Sequence, residues 1–166
     1  NIVPILKKRI KKEEGFVDHP YPDNGHMSIG YGHQIKSGES FPPKISEQQA
    51  SDLFEQDFPK YVARAQQFPG FAGLDGVRQA VIVDMSYNLG SATVLKDFTD
   101  AVQRKDWNRA ALEMLDTKYR EQVRTRALTN ASMIKTGDIT PMTTGIPITE
   151  FRDISRNEAK KRKTRA

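Results

Sequence analysis

The chain has no cysteine, so disulfides, thiolate metal sites and cysteine nucleophiles are excluded. Its compartment stays open, because a protein of an oxidising space can also do without cysteine. No apolar run approaches the roughly 20 residues that a membrane-spanning helix needs. The opening NIVPILKKRIKKEE carries its charges after a short apolar stretch, the reverse of a secretory signal. It also lacks an initiator Met, as in a processed chain or one cut from a longer product. What remains is ordinary for a globular domain: 166 residues, 37% hydrophobic and 28% charged, enough to bury a core without staples. The net charge of +5 is unevenly placed. From Pro141 onward seven Lys or Arg face three acidic residues, a net of +4, and the other 140 residues are near neutral. Such a basic tail reads either as a solubilising extension or as a contact for an anionic partner: nucleic acid, a membrane surface or an acidic wall polymer.

Val3, Leu6 and Ile10 form an apolar stripe with Pro4 in the first turn, which predicts an amphipathic helix ending at Gly15. Turn chemistry follows in Tyr21-Pro22-Asp23-Asn24-Gly25. His26 to His33 then alternate, Met27, Ile29 and Tyr31 on one face, His26, Ser28, Gly30 and Gly32 on the other. This predicts a hairpin with one greasy face and one bare, polar face. Ser46 and Gln49 make a capping box for a long helix in which Pro59 predicts a kink or break. Further helices are expected at about 74–89, 93–104, 106–116 and 119–136. The fold class is α+β, with a small hairpin lobe, a larger helical lobe, a long helix joining them and a cleft between.

Two carboxylates stand in contrasting settings within the opening stretch. Glu14 occupies the last turn of a helix, whose negative end favours the protonated form. Asp23 lies on a solvated turn and is expected to carry its charge. Nine residues apart with a chain reversal between them, they suit the acid and water-directing roles of glycoside hydrolysis. Ser28 on the returning strand is placed to share a water with Asp23. Equally, a Glu-Gly helix end and an Asp-Asn-Gly turn are common structural devices. His19, His26 and His33 recur every seven residues near Asp18 and Asp23, which suggests zinc, but each pair spans a turn, unlike familiar ligand spacings. For His33 the alternative is a tether from the hairpin to Asp57 on the following helix.

The order Glu14-Gly15, Tyr21-Pro22-Asp23-Asn24-Gly25, Ser28-Ile29-Gly30-Tyr31-Gly32-His33 resembles the phage-type lysozymes of the T-even kind. The resemblance continues through Ile45-Ser46 to Leu53-Phe54-Glu55-Gln56-Asp57, then Leu74-Asp75-Gly76-Val77-Arg78 and Tyr87-Asn88-Leu89-Gly90. Trp107, Ala110-Ala111, Arg126-Ala127 and Thr136-Gly137 complete it, so that it covers about residues 3–139. It implies a lysozyme domain over 1–139, with the hairpin lobe at about 14–45 and the helical lobe at about 60–139 plus the N-terminal helix. A basic extension at 140–166 lies beyond the match, with its Lys160-Lys161-Arg162-Lys163 run. Between His33 and Ile45 the chain is shorter than in family members that carry an extra small helix in that lobe.

The implied activity is that of a muramidase, cutting the β-1,4 bond between N-acetylmuramic acid and N-acetylglucosamine with inversion. Glu14 takes the general-acid position, Asp23 the second carboxylate, and Ser28 the place of a usual Thr. Arg126 is the arginine expected to pair with Glu14, His33 and Asp57 are supporting residues, and Gln34, Tyr87 and Asn88 fall at sugar-contacting positions. No cofactor and no metal are implied. Expected partners are peptidoglycan and, through the tail, an anionic surface or virion protein, with the chain a monomer where free. The expected setting is the host cytoplasm until holin-dependent release to the wall, or carriage on the phage particle. Two other readings remain beside it: a metal-dependent wall peptidase using the histidines, and a catalytically inactive lysozyme fold that binds through its tail.

Overall fold

The computed structural model describes residues 1–148, and the basic run at 160–163 lies outside them. Among the described residues eight α-helices accompany a small antiparallel sheet of order β1-β2-β3, which is the α+β, lysozyme-like architecture. α1 (Ile2–Glu14) is capped by the Asn1 side chain, which accepts from the Val3 N–H, and it ends at Gly15. β1 (Val17–Asp23) and β2 (His26–Gly30) pair with Asp23 opposite His26, leaving a two-residue loop. Asn24 and Gly25 both take positive φ, 49° and 86°. That is the requirement of the tight hairpin turn whose twist matches its strands.

The strand does not continue to His33 as the alternation suggested. β2 stops at Gly30, the chain turns through Tyr31 and Gly32, and β3 (His33–Gln34) returns beside Ser28 and Ile29. The two faces also differ from expectation. Met27 on the apolar face is 42% exposed, while Ser28 on the polar face is buried, at 1% exposure. Residues 35–46 contain no helix.

α2 (Glu47–Gln66) begins with the complete Ser46–Gln49 capping box and runs unbroken through Pro59. Proline removes one N–H and frees the Glu55 carbonyl, but both residues are exposed, so water takes the lost bond. Ala50 packs with Ile29 and Ile45 in the small lobe, while Phe54 and Phe58 join the main core. α2 therefore belongs to both hydrophobic clusters. Burying a side chain such as Phe54 stabilises by about 1.5–3 kcal/mol.

α3 (Gly76–Leu89) and α7 (Arg124–Thr136) are the central helices. Ala80–Ser86 and Arg126–Ile134 are buried without interruption, leaving no polar face. α4 (Lys96–Gln103) and α5 (Trp107–Leu115) pack beside them. The helix expected at 93–104 begins only at Lys96, after a short 3₁₀ turn over Ala92–Val94. The single helix expected at 119–136 is two, α6 (Lys118–Gln122) and α7, broken where Val123 takes φ −137° and ψ 59°. Past residue 139, where the extension was expected to begin, α8 (Thr140–Thr144) follows, and Pro141 and Met142 are buried, Met142 within the main core. No helix among the described residues is long and apolar enough to cross a membrane.

Candidate active site

A cleft of about 420 Å³ runs between the sheet lobe and the helical lobe. Glu14, at the end of α1, and Asp23, at the tip of β1, both line it, as do Gln34, Tyr87 and Asn88. These five of the expected residues are therefore brought to one place.

Glu14 is the more enclosed carboxylate, its side chain 21% exposed. Burial pushes its pKa above the ordinary 4.5, against the pull of Arg126, whose Nη1 lies 3.4 Å from Oε2. Gly32 is required beside it: a Cβ there would sit 3.3 Å from Glu14 Oε1, on a backbone at φ 79° that side chains rarely adopt. Asp23 is more open, its side chain 39% exposed. Ser28 Oγ–H donates to Asp23 Oδ2 at 3.1 Å. Ser28 stands behind the carboxylate rather than in the open cleft, and it lies opposite Tyr21 in the β1–β2 register.

The expected pairing of Arg126 with Glu14 is the weaker of two. Arg126 donates from Nε and Nη2 to Asp84 at 3.0 and 2.9 Å. Asp84 is fully buried; burial alone would raise its pKa, but Arg126 and Arg9 hold it below the usual carboxylate value. Asn130 donates to Asp84 at 2.9 Å and to the Tyr119 hydroxyl at 2.8 Å, while Arg9 donates to Asn130 at 2.7 Å and Thr129 at 2.6 Å. A buried charge needs such partners, since uncompensated it is very costly. The network joins α1, α3, α6 and α7 beneath the C-terminal end of α1, where Glu14 stands. Sequence reasoning missed Asp84, although a lone carboxylate inside Ala80-Val81-Ile82-Val83-Asp84-Met85 was the signal.

His33 is buried with Nδ1 2.7 Å from Asp57 Oδ2, the expected tether, and Nε2 3.0 Å from Glu39 Oε1, a partner not foreseen. Neither His33 nor Asp57 lines the cleft; together they fasten β3 and the following loop to α2. The zinc arrangement does not assemble. His19 pairs with its neighbour Asp18, and His26 lies 3.9 Å from Asp23. Among the described residues no three His, Asp or Glu are arranged to hold a metal ion.

Tyr87 stacks on Tyr61, ring centroids 3.7 Å apart at 18°, and its hydroxyl is buried with no hydrogen-bond partner among the described residues. Burial pushes the Tyr87 pKa up. Tyr61 and Arg64, one turn apart on α2, line the cleft and were not anticipated, nor were Tyr21, His26 and Ser86. The i, i+3 spacing of Tyr61 and Arg64, which puts them on one face of α2, was the readable signal for those two.

The phage lysozyme family model matches residues 11–133, most of the chain and all of this cleft's catalytic candidates. The chain belongs to the phage lysozyme family. It is 27% identical over 166 residues to probable T4-type lysozyme 1 of Dictyostelium discoideum, covering 83% of this chain and 98% of that protein. A second relative from the same organism, probable T4-type lysozyme 2, is 24% identical with the same coverage. The protein is thus a lysozyme-like glycoside hydrolase, and Glu14 and Asp23 are the carboxylates of its cleft.

Proposed function

We propose that this lysozyme is a muramidase that hydrolyses the β-1,4 bond between N-acetylmuramic acid and N-acetylglucosamine in peptidoglycan. One observation carries the reading: a carboxyl group biased towards its protonated form shares a cleft with a more exposed carboxylate. Glycoside hydrolysis asks for that division of labour. Glu14 gives its proton to the O4 leaving oxygen of N-acetylglucosamine as the C1–O4 bond breaks. Water adds to C1 of the muramoyl ring and gives its proton to Asp23. Exchange with solvent then returns the proton to Glu14. Ser28, behind Asp23, fixes the orientation of that carboxylate through its hydrogen bond and so positions the water through it. Arg126 limits the rise in the Glu14 pKa and stabilises the carboxylate left after proton transfer.

In this scheme the water attacks the face opposite the leaving oxygen, so the configuration at C1 inverts. Proton NMR of freshly cleaved glycan oligomers tests it. The α-anomer should appear first and mutarotate afterwards. A β-anomer appearing first would show that Asp23 attacks the sugar directly.

A further inference from the structure

The helical-lobe wall of the cleft carries a cation that the catalytic scheme does not use. Arg64 is the one Lys or Arg among the residues lining the cleft. Its guanidinium lies 4.9 Å from the centre of the Tyr61 ring, and Tyr61 in turn stacks on Tyr87. The carboxylates around it are engaged elsewhere. Asp57, two turns back on α2, is held by His33 at 2.7 Å and Lys60 at 3.7 Å, and Asp84 and Glu14 face Arg126. Among the described residues Arg64 has no ion pair, although the partly buried Lys7 and Arg78 do. A guanidinium resting on an aromatic face keeps its donors in a plane, ready for a carboxylate approaching edge-on.

We infer that Arg64, laid on the Tyr61–Tyr87 stack, is a specificity-determining residue that binds a carboxylate carried by the muramoyl unit of the substrate. The inference rests on the peptidoglycan reading above. N-acetylglucosamine units of the glycan are neutral, whereas a muramoyl unit bears acid either on its lactyl group or on an attached stem peptide. Both sources offer Arg64 the same planar anion. The stacked tyrosines line one side of the cleft, and Arg64 beside them sets which sugar lies there. The cleft otherwise presents Glu14 and Asp23 to an acidic polymer, so a cation in the same cleft also offsets that repulsion.

The test compares the parent with Arg64→Gln on three glycan preparations. One carries stem peptides. A second has had the stems removed and keeps free lactyl carboxylates. In the third those carboxylates are converted to neutral amides. The KM ratio of variant to parent should be about two- to fivefold larger on an acidic glycan than on the amidated one, the size expected of a partly exposed ion pair. The kcat ratio should be the same on all three, and Arg64→Lys should recover part of the KM effect. A KM effect on the stem-free acidic glycan assigns the lactyl group, and one confined to the stem-bearing glycan assigns the peptide. An equal KM ratio on all three overturns the inference while leaving the muramidase reading intact. A parent protein that cleaves none of them overturns the muramidase reading, and the inference with it.

Discussion

Arg126 and Asp84 are joined by two hydrogen bonds of 2.9 and 3.0 Å between α7 and α3, and only the remaining Nη1 reaches Glu14, at 3.4 Å. The arginine at the active site is thus anchored from below. Its position is set by a buried aspartate, and its influence on Glu14 is the smaller part of its interactions. This keeps a positive charge near Glu14 without collapsing onto it, so that burial still holds the Glu14 carboxyl above its ordinary pKa.

Asp84→Ala leaves two arginines, Arg126 and Arg9, without their buried counter-charge. The expected loss of stability is about 3–5 kcal/mol, read from urea denaturation at fixed pH. Where the variant still folds, the freed Arg126 is drawn towards Glu14. The pH above which wall cleavage declines should then move down. A loss of stability under about 1 kcal/mol would contradict the role given to the network.

Glu14 makes stability depend on pH in a definite direction. Its folded-state pKa lies above the ordinary 4.5, so the folded protein holds this proton more tightly than the unfolded chain. The stabilisation is complete below that value and is lost as pH rises through the folded-state pKa. Glu14→Gln removes the dependence. Urea unfolding of both proteins over a pH series should show the variant gaining on the parent as pH rises through this window, then levelling. A variant that gains on the parent as pH falls would reverse the sign of the shift.

Ser28→Ala removes the hydroxyl that holds Asp23. With about 1.5 kcal/mol, the low end for a hydrogen bond to a charged group, kcat should fall about tenfold. Ser28→Thr keeps the hydroxyl and suits a strand position, at the cost of fitting a methyl group into a site that is 1% exposed. Its activity should stay near that of the parent. Equal turnover by Ser28→Ala and the parent would detach Ser28 from the reaction.

Much of this molecule is written locally. The Ser46–Gln49 capping box, the Asn24-Gly25 turn and the glycine stops at Gly15, Gly90 and Gly137 depend on a few adjacent residues, and the structure realises each. Glu14 and Asp23 meet in one cleft because the stop at Gly15 and the Asn24-Gly25 turn place them there, and Gln34, Tyr87 and Asn88, which only the family resemblance implied, line it with them. What was illegible depends on long-range partners. Asp84 meets residues 42 and 46 positions away, and nothing beside it in the chain announces them. The break at Val123 falls among residues with no glycine or proline to mark it. α8 is only five residues long, too short for a periodic pattern, and it forms because Met142 finds the core. Pro59 misled in the opposite sense, since its exposure makes the lost hydrogen bond cheap.

In the proposed reaction Glu14 drives cleavage of a glycosidic bond on the muramic acid side. The most direct test digests purified peptidoglycan with the parent and with Glu14→Gln, reduces the new ends with borohydride and identifies the sugar alcohols by mass. The parent should release muramitol-terminated fragments, and the variant should do so roughly 10²–10⁴-fold more slowly. Glucosaminitol ends, new peptide amino termini, or muramitol released by the variant at the parent's rate would contradict the account.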